Sequence, residues 1–218
     1  MSLGKWIRDF QLFLFDFDGL LVNTEYLHYQ AYVNMLAGRG YALQLSFAHF
    51  CGLAHFNATA WREAIYAEIP HLESRWEILY QEKKEAYLKL LLLGKVELMP
   101  GVEKLLNALN EAGIRRCVVT HSILDHVRLI RASIPALATL PNWITREDYE
   151  QPKPNPECYL KAIALYGKPG DRIIGFEDSL RGLQALKGTP ASAVIICSTH
   201  HPLFKTVVAD GMHFESLE

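Results

Sequence analysis

Short apolar runs alternate with helical patterns along most of the chain. The first run, Leu12–Phe15, is continuous and has the length of a buried strand. Apolar runs at 115–120, 143–145, 172–176 and 193–197 also predict strands, and helical segments lie between them. Strands that alternate with helices are typical of βαβ units, which build a parallel sheet. The pattern therefore predicts an α/β fold with a Rossmann-like parallel sheet core.

Residues 23–98 interrupt this alternation. They show no clear strand pattern and contain helical periodicities at 25–37, at roughly 56–69 and at 72–93. The last of these segments carries the charged run Glu82–Glu85, which predicts a solvated helix face. We therefore expect a small helical cap domain to be inserted after the first strand.

The predicted domains are an α/β core of residues 1–22 and 99–218 and a helical cap of residues 23–98. The 218 residues are 50 % hydrophobic and carry a formal net charge of −2, which favours neither nucleic acid nor an anionic membrane as a partner. No apolar run approaches the length of a membrane span. The four cysteines lie far apart without a Cys-x-x-Cys pair, which favours a reducing cytoplasm. We expect a monomer or a weak dimer.

Two acidic side chains directly follow the first strand. Asp16 and Asp18 lie two positions apart, and Gly19 supplies the turn after them. Carboxylates this close favour a bound cation, and oxygen ligands suit Mg²⁺. A calcium loop is an alternative that Leu20–Val22 disfavours, because these residues offer no side-chain oxygen. A polar turn without chemical importance also stays open at this point.

Further polar residues lie at or near the ends of later strands. Thr120, His121 and Ser122 come at the end of the second strand, Lys153 lies in a proline-punctuated loop after the third, and Glu177 and Asp178 follow the fourth. Ligands of parallel sheets bind beyond the carboxyl ends of the strands, so we expect these groups to converge. Acids, a hydroxyl and an ammonium suit phosphoryl transfer, in which a carboxylate can act as nucleophile.

Four segments resemble, in order, the motifs of the haloacid dehalogenase-like superfamily of phosphohydrolases. They are Asp16–Gly19, Val118–Thr120, Lys153–Pro156 and Glu177–Ser179. The chain is more narrowly similar to the branch with a small helical cap after the first motif, which includes β-phosphoglucomutases and sugar-phosphate phosphatases. The resemblance implies magnesium-dependent hydrolysis of a phosphate monoester.

The resemblance also implies roles for the acidic residues. Asp16 would be the nucleophile and a Mg²⁺ ligand. Asp18 would be the general acid/base, with its main-chain carbonyl on the metal. Asp178 would complete the metal site, with Glu177 beside it, either directly or through water. The presence of Asp18 favours a phosphate ester, because an alkoxide leaving group needs a proton.

The implied substrate-binding residues are Thr120, His121, Lys153 and His55. Thr120 would hold a phosphate oxygen with main-chain amides near His121, and Lys153 would bridge the nucleophile and the phosphate. In the cap, Cys51–His55 matches the substrate-facing loop of the family. The mutase branch places an arginine where His55 stands, and histidine is a poorer bidentate partner for phosphate. This departure favours a phosphatase over a mutase.

The sequence thus predicts a phosphoric monoester hydrolase that acts on a small phosphorylated metabolite through an aspartyl-phosphate on Asp16. A phosphosugar mutase of the β-phosphoglucomutase type is the alternative enzyme. A relative that only binds a ligand or partner in the same cleft is the alternative from another class. The presence of every motif acid and of Lys153 argues against that last possibility.

Overall fold

The chain divides into two compact units, for which we use the names core unit and helical unit. The core unit comprises Met1–Asn23 and Glu97–Glu218, and the helical unit comprises Thr24–Val96. The computed structural model describes residues 3–54, 58–94, 96–201, 204–207 and 212–217.

A parallel sheet forms the centre of the core unit, which confirms the predicted α/β class. Within the described residues it has six strands in the order β3-β2-β1-β4-β5-β6. The strands are β1 Leu12–Phe15, β2 Arg115–Val119, β3 Asn142–Ile144, β4 Ile173–Glu177, β5 Ser192–Ile196 and β6 Met212–Phe214. The short edge strand β6 is the one that the sequence pattern did not predict.

The register of the sheet aligns the carboxyl ends of its three central strands. Phe15 at the end of β1 pairs with Val118 in β2 and with Phe176 in β4. The residues that follow β1, β2 and β4 therefore emerge at one edge of the sheet, where open α/β sheets bind their ligands.

Helices alternate with these strands. They are α1 Leu3–Trp6, α6 Val102–Glu111, α7 Leu124–Ser133, α8 Glu157–Tyr166, α9 Leu180–Lys187 and α10 Phe204–Val207. Ser179 is the N-cap of α9, because its hydroxyl accepts a hydrogen bond from the Gly182 amide at 3.1 Å. A side-chain oxygen at this position satisfies an amide that has no partner within the helix.

Apolar side chains cover both faces of the central strands. Leu12 and Leu14 belong to a buried cluster that includes Tyr159 of α8 and Leu186 of α9. The alternate residues of β1 take the opposite face, where the rings of Phe15 and Phe176 stack 5.4 Å apart. Burial on both faces explains why β1 is a continuous apolar run.

The chain segments directly before and after the insertion are hydrogen-bonded to each other in the core unit. The Asn23 amide donates to the Glu97 carbonyl at 2.9 Å, and the Met99 amide donates to the Leu21 carbonyl at 3.0 Å. Val22 and Leu98 form an antiparallel bridge between these two bonds. The insertion therefore leaves and re-enters the core unit through a short backbone stem.

The helical unit contains α2 Glu25–Gly38, α3 Phe47–Ala54, α4 Ala58–Glu68 and α5 Trp76–Leu92. Patterns at 25–37, 56–69 and 72–93 predicted α2, α4 and α5, whereas α3 was not predicted. Aromatic side chains fill its interior: Trp61 is buried, and its ring meets those of Tyr32 and Phe50 edge-on. Edge-to-face packing of this kind stabilises aromatic clusters.

The prediction that Glu82–Glu85 forms a solvated face is wrong for Lys83. Lys83 is buried with 6 % of its surface exposed, and its Nζ lies 2.9 Å from Nδ1 of His28. The Lys83 Nζ also lies 5.1 Å from the ring centroid of Tyr87, within the range of a cation–π contact. A one-dimensional charge pattern cannot show that one member of the run turns inward among aromatic rings.

Two further observations concern membrane-spanning helices and cysteines. Among the described residues, none of the helices combines the length and the apolarity that crossing a membrane requires. All four cysteines are buried and free of disulfides.

Candidate active site

The turn after β1 places two acids at the edge of the sheet. Asp16 extends the pairing with β4 by one residue, since its amide donates to the Phe176 carbonyl at 3.0 Å. Asp18 follows, and Gly19 has a φ of +85°, a conformation that favours glycine. A Cβ at Gly19 would also collide with the carboxylate of Asp178. Glycine is therefore required here for both backbone conformation and space.

Lys153 lies at the centre of the site with 5 % of its side chain exposed. Its Nζ is 2.5 Å from Oδ1 of Asp16 and 2.7 Å from Oε1 of Glu177. It also lies 2.9 Å from the Val119 carbonyl and 3.1 Å from the Tyr159 hydroxyl. The ammonium thus has four acceptors for its three protons, and it links groups contributed by the turn after β1 and by β2, α8 and β4.

Three carboxylates form an oxygen-rich cluster at the same place. Asp16, Glu177 and Asp178 each offer an oxygen, and these atoms all lie within 4.8 Å of one another. Gly182 makes room for this arrangement, because a Cβ there would collide with the carboxylate of Glu177. Oxygen ligands of this kind are the ones that Mg²⁺ accepts in proteins, so the residues present fit the predicted ion.

The electrostatics of the cluster also favour a cation. The pKa of Asp16 is raised to about 7, first by burial and then by the neighbouring Glu177, although Lys153 opposes the rise. Burial lowers the pKa of Lys153, but the Asp16 and Glu177 carboxylates outweigh this effect and raise the pKa above its ordinary value. Lys153 is therefore protonated at neutral pH, and further positive charge would favour the ionised form of Asp16.

Asp18 is held from the side of β2. Its Oδ2 accepts a hydrogen bond from the Ser122 hydroxyl at 2.6 Å and lies 3.3 Å from the Thr120 hydroxyl. The Thr120 oxygen in turn accepts from the Ser122 amide at 2.9 Å. Thr120 is fully buried, so the structure orients its hydroxyl towards the turn and Asp18.

His121 lies in the loop after β2 and is part of a different network. Its Nδ1 is 3.0 Å from the Tyr149 hydroxyl, and that hydroxyl lies 3.1 Å from the Thr120 carbonyl. The pKa of His121 is lowered to about 4, first by burial of the ring and then by the charges of Arg181 and Arg146. A neutral imidazole can hydrogen-bond but cannot supply a positive charge to an anionic substrate.

We expect His121 to titrate well below its ordinary pKa of 6.5 in the folded protein. Its folded-state pKa is the lower one, so the unfolded chain binds more protons between the two values. The contribution of His121 to stability is therefore present above pH 6.5 and is lost as the pH falls towards 4. Imidazole ¹⁵N chemical shifts of His121 followed from pH 8 to below pH 4 would measure this midpoint. A midpoint of His121 near or above 6.5 would contradict the expectation.

The structure thus separates the predicted site residues into groups. Asp16, Lys153, Glu177 and Asp178 form one contiguous cluster. Asp18 and Thr120 are in hydrogen-bond range of each other beside it, and His121 bonds to Tyr149. The prediction for His55 falls outside the described residues.

Ser122, which was expected at the end of the second strand with Thr120 and His121, bonds to Asp18. Two residues of the site were missed at the sequence level. Tyr159 bonds to Lys153 and Glu177, and Gly182 leaves room for the carboxylate of Glu177. Tyr159 lies six positions after Lys153 on a helix and has the pattern of a core aromatic residue.

Comparison with known proteins places this geometry in context. The family model described as haloacid dehalogenase-like hydrolase matches residues 10–188. This range contains all four predicted motifs, every described residue of the site and the helical unit.

Individual relatives cover most of the chain. The protein CbbY of Cereibacter sphaeroides is 30 % identical over 190 residues, which covers 84 % of this chain and 82 % of the relative. Hexitol phosphatase A of Escherichia coli is also 30 % identical over 190 residues, covering 84 % of this chain and 81 % of the relative. A crystal structure of CbbY from Rhodobacter sphaeroides in complex with phosphate has a TM-score of 0.76 at 25 % identity and covers 95 % of both chains.

Proposed function

Since this chain belongs to the haloacid dehalogenase-like hydrolases, we propose that it is a phosphatase that hydrolyses a small phosphate monoester, such as a sugar phosphate, with Mg²⁺ and through an aspartyl-phosphate on Asp16. The enzyme is a phosphoric monoester hydrolase, the class of its named phosphatase relatives. The observation that carries the mechanism is the contact of the Asp16 carboxylate with Lys153 inside the three-carboxylate cluster.

The proposed metal ligands are Asp16, Asp178 and the main-chain carbonyl of Asp18, with Glu177 direct or through water. When bound, Mg²⁺ would neutralise carboxylate charge and polarise the phosphoryl oxygens. The fit between these oxygens and a hard cation supports this assignment.

Asp16 begins the reaction as the nucleophile. One of its carboxylate oxygens attacks phosphorus, and the bond between phosphorus and the ester oxygen breaks. Lys153 holds the carboxylates of Asp16 and Glu177 in place, and it stabilises the negative charge on the transferring phosphoryl group. The leaving alkoxide takes a proton from Asp18, whose carboxyl group is oriented by Ser122 and Thr120.

Asp18 then acts as a base in the second half of the reaction. It accepts a proton from a water molecule as the water oxygen attacks the phosphoryl group on Asp16. The acyl phosphate bond breaks, inorganic phosphate leaves and the Asp16 carboxylate is restored. One carboxyl group thus serves first as acid and then as base in the two halves of the reaction.

We assign the choice of substrate to the cap, residues 23–98, because the residues around Asp16 would be engaged with the phosphoryl group. The substrate is a small phosphorylated metabolite, and hexitol phosphatase A is named for a polyol phosphate. Free cysteines support a reducing compartment such as the cytoplasm. We propose a monomer or a weak dimer.

A screen of phosphate esters tests the proposed function. We expect the protein to release inorganic phosphate from p-nitrophenyl phosphate and, faster, from one or more members of a sugar- and polyol-phosphate panel. Chelation with EDTA should abolish the release, and added Mg²⁺ should restore it. Conversion of one sugar phosphate to another without release would favour the mutase instead. Absence of turnover of every ester in the presence of Mg²⁺ would refute both enzymes.

A further inference from the structure

Tyr159 is a buried polar residue that the reaction described above does not use. It is the third residue of α8, and none of its surface is exposed. The Nζ of Lys153 lies 4.8 Å from the centroid of its ring. Burying a hydroxyl is unfavourable unless it is hydrogen-bonded, so packing alone would be served as well by phenylalanine.

The direction of each hydrogen bond at Tyr159 follows from its partners. Lys153 has only donors on its ammonium, so the Tyr159 oxygen accepts from it at 3.1 Å. The one phenolic proton is then donated to Oε1 of Glu177 at 2.5 Å.

Glu177 is held mainly through one oxygen. Its Oε1 receives both the Tyr159 proton and a Lys153 proton, at 2.5 and 2.7 Å. Its Oε2 has the Ser179 hydroxyl at the longer distance of 3.3 Å. Two strong donors on Oε1 fix the rotation of the carboxylate and leave Oε2 the less engaged oxygen.

We propose that Tyr159 is a positioning residue that holds the Glu177 carboxylate in the geometry that the cation cluster needs. This inference rests on the proposed function, because it assigns Tyr159 to the support of that same site. Partners that orient a metal ligand from behind affect metal binding strongly even though they do not touch the ion.

The Tyr159→Phe variant tests the hydroxyl alone. We expect it to weaken Mg²⁺ binding, measured by isothermal titration calorimetry, by about tenfold or more. We expect kcat for phosphate release to fall by a similar factor at saturating Mg²⁺, with a smaller change in KM, because Tyr159 has no surface exposed to a substrate. Thermal melting followed by circular dichroism checks that the variant is folded. Tyr166→Phe, at the far end of the same helix, is the matched control and should bind Mg²⁺ like the original protein.

A double variant separates positioning from general packing. If Tyr159 acts through Glu177, adding Tyr159→Phe to Glu177→Gln should weaken Mg²⁺ binding by less than about twofold, because the orientated carboxylate is already lost. The full tenfold loss in that background would show a role independent of Glu177 and overturn the proposal. Unchanged Mg²⁺ affinity in Tyr159→Phe alone would also overturn it.

The same measurements distinguish this inference from the proposed function. Mg²⁺ binding that depends on Tyr159, in a protein that hydrolyses no ester, would refute the phosphatase and leave the role of Tyr159 standing. Mg²⁺-dependent phosphatase activity that Tyr159→Phe does not change would support the proposed function and refute the role of Tyr159. A protein that binds no Mg²⁺ would refute both.

Discussion

Replacing Asp16 with asparagine should lower phosphate release by at least about 1,000-fold, because an amide cannot form the acyl phosphate on which the reaction depends. The substitution keeps the size of the side chain, and the amide oxygen can still accept a hydrogen bond from Lys153, which lies 2.5 Å from Oδ1 in the original protein. The fold should therefore persist. The rate is measured as phosphate released from the best ester of the panel at saturating Mg²⁺.

A control and a chemical trap complete this experiment. Asp125→Asn removes an acid whose side chain is 81 % exposed on α7, and its rate should equal that of the original protein. Acid quenching during turnover of a ³²P-labelled ester should leave label on the peptide that contains Asp16. Retention of most activity in Asp16→Asn would show that a different group attacks phosphorus.

Replacing Lys153 with methionine should affect stability as well as activity. The ammonium is buried with two carboxylates, and its loss leaves Asp16 and Glu177 facing each other without a counter-charge. Removing one partner of a buried ion pair costs about 3–5 kcal/mol in the free energy of unfolding. Loss of one charged donor to the transferring group should lower kcat by about 100- to 1,000-fold. Urea unfolding and steady-state kinetics measure the two effects.

Lys168→Met is the matched control for this variant. Lys168 is exposed near the end of α8, so the free energy of unfolding should change by less than about 0.5 kcal/mol. A Lys153→Met protein as stable and as active as this control would mean that the buried pairing does not matter to either property.

The sequence allowed the sheet and the acidic cluster to be predicted because both depend on local signals. The apolar run Leu12–Phe15 is buried on both faces, and Asp16 follows it directly. The shared edge of a parallel sheet then brings Lys153 to Asp16 across 137 positions of sequence. No single local pattern contains that contact, but the topology implies it.

Features that depend on side-chain direction could not be predicted in the same way. Tyr159 has the spacing of a core residue, and only the three-dimensional structure reveals that its hydroxyl accepts a hydrogen bond from Lys153. Lys83 lies in a run of charges, yet it is buried against Tyr32 and Tyr87. The first and last residues of the short strand β6 are exposed, so its sequence shows no run of buried apolar positions that would predict a strand.

The backbone stem at Val22 and Leu98 has a consequence for how this architecture can vary. Because the entry and exit segments are already hydrogen-bonded to each other, the sheet does not depend on what the intervening chain builds. Domain insertions are tolerated where the two ends of a host site lie side by side. The core unit can thus keep its sheet and its acidic cluster while a module of different length or fold is grafted between the two paired segments.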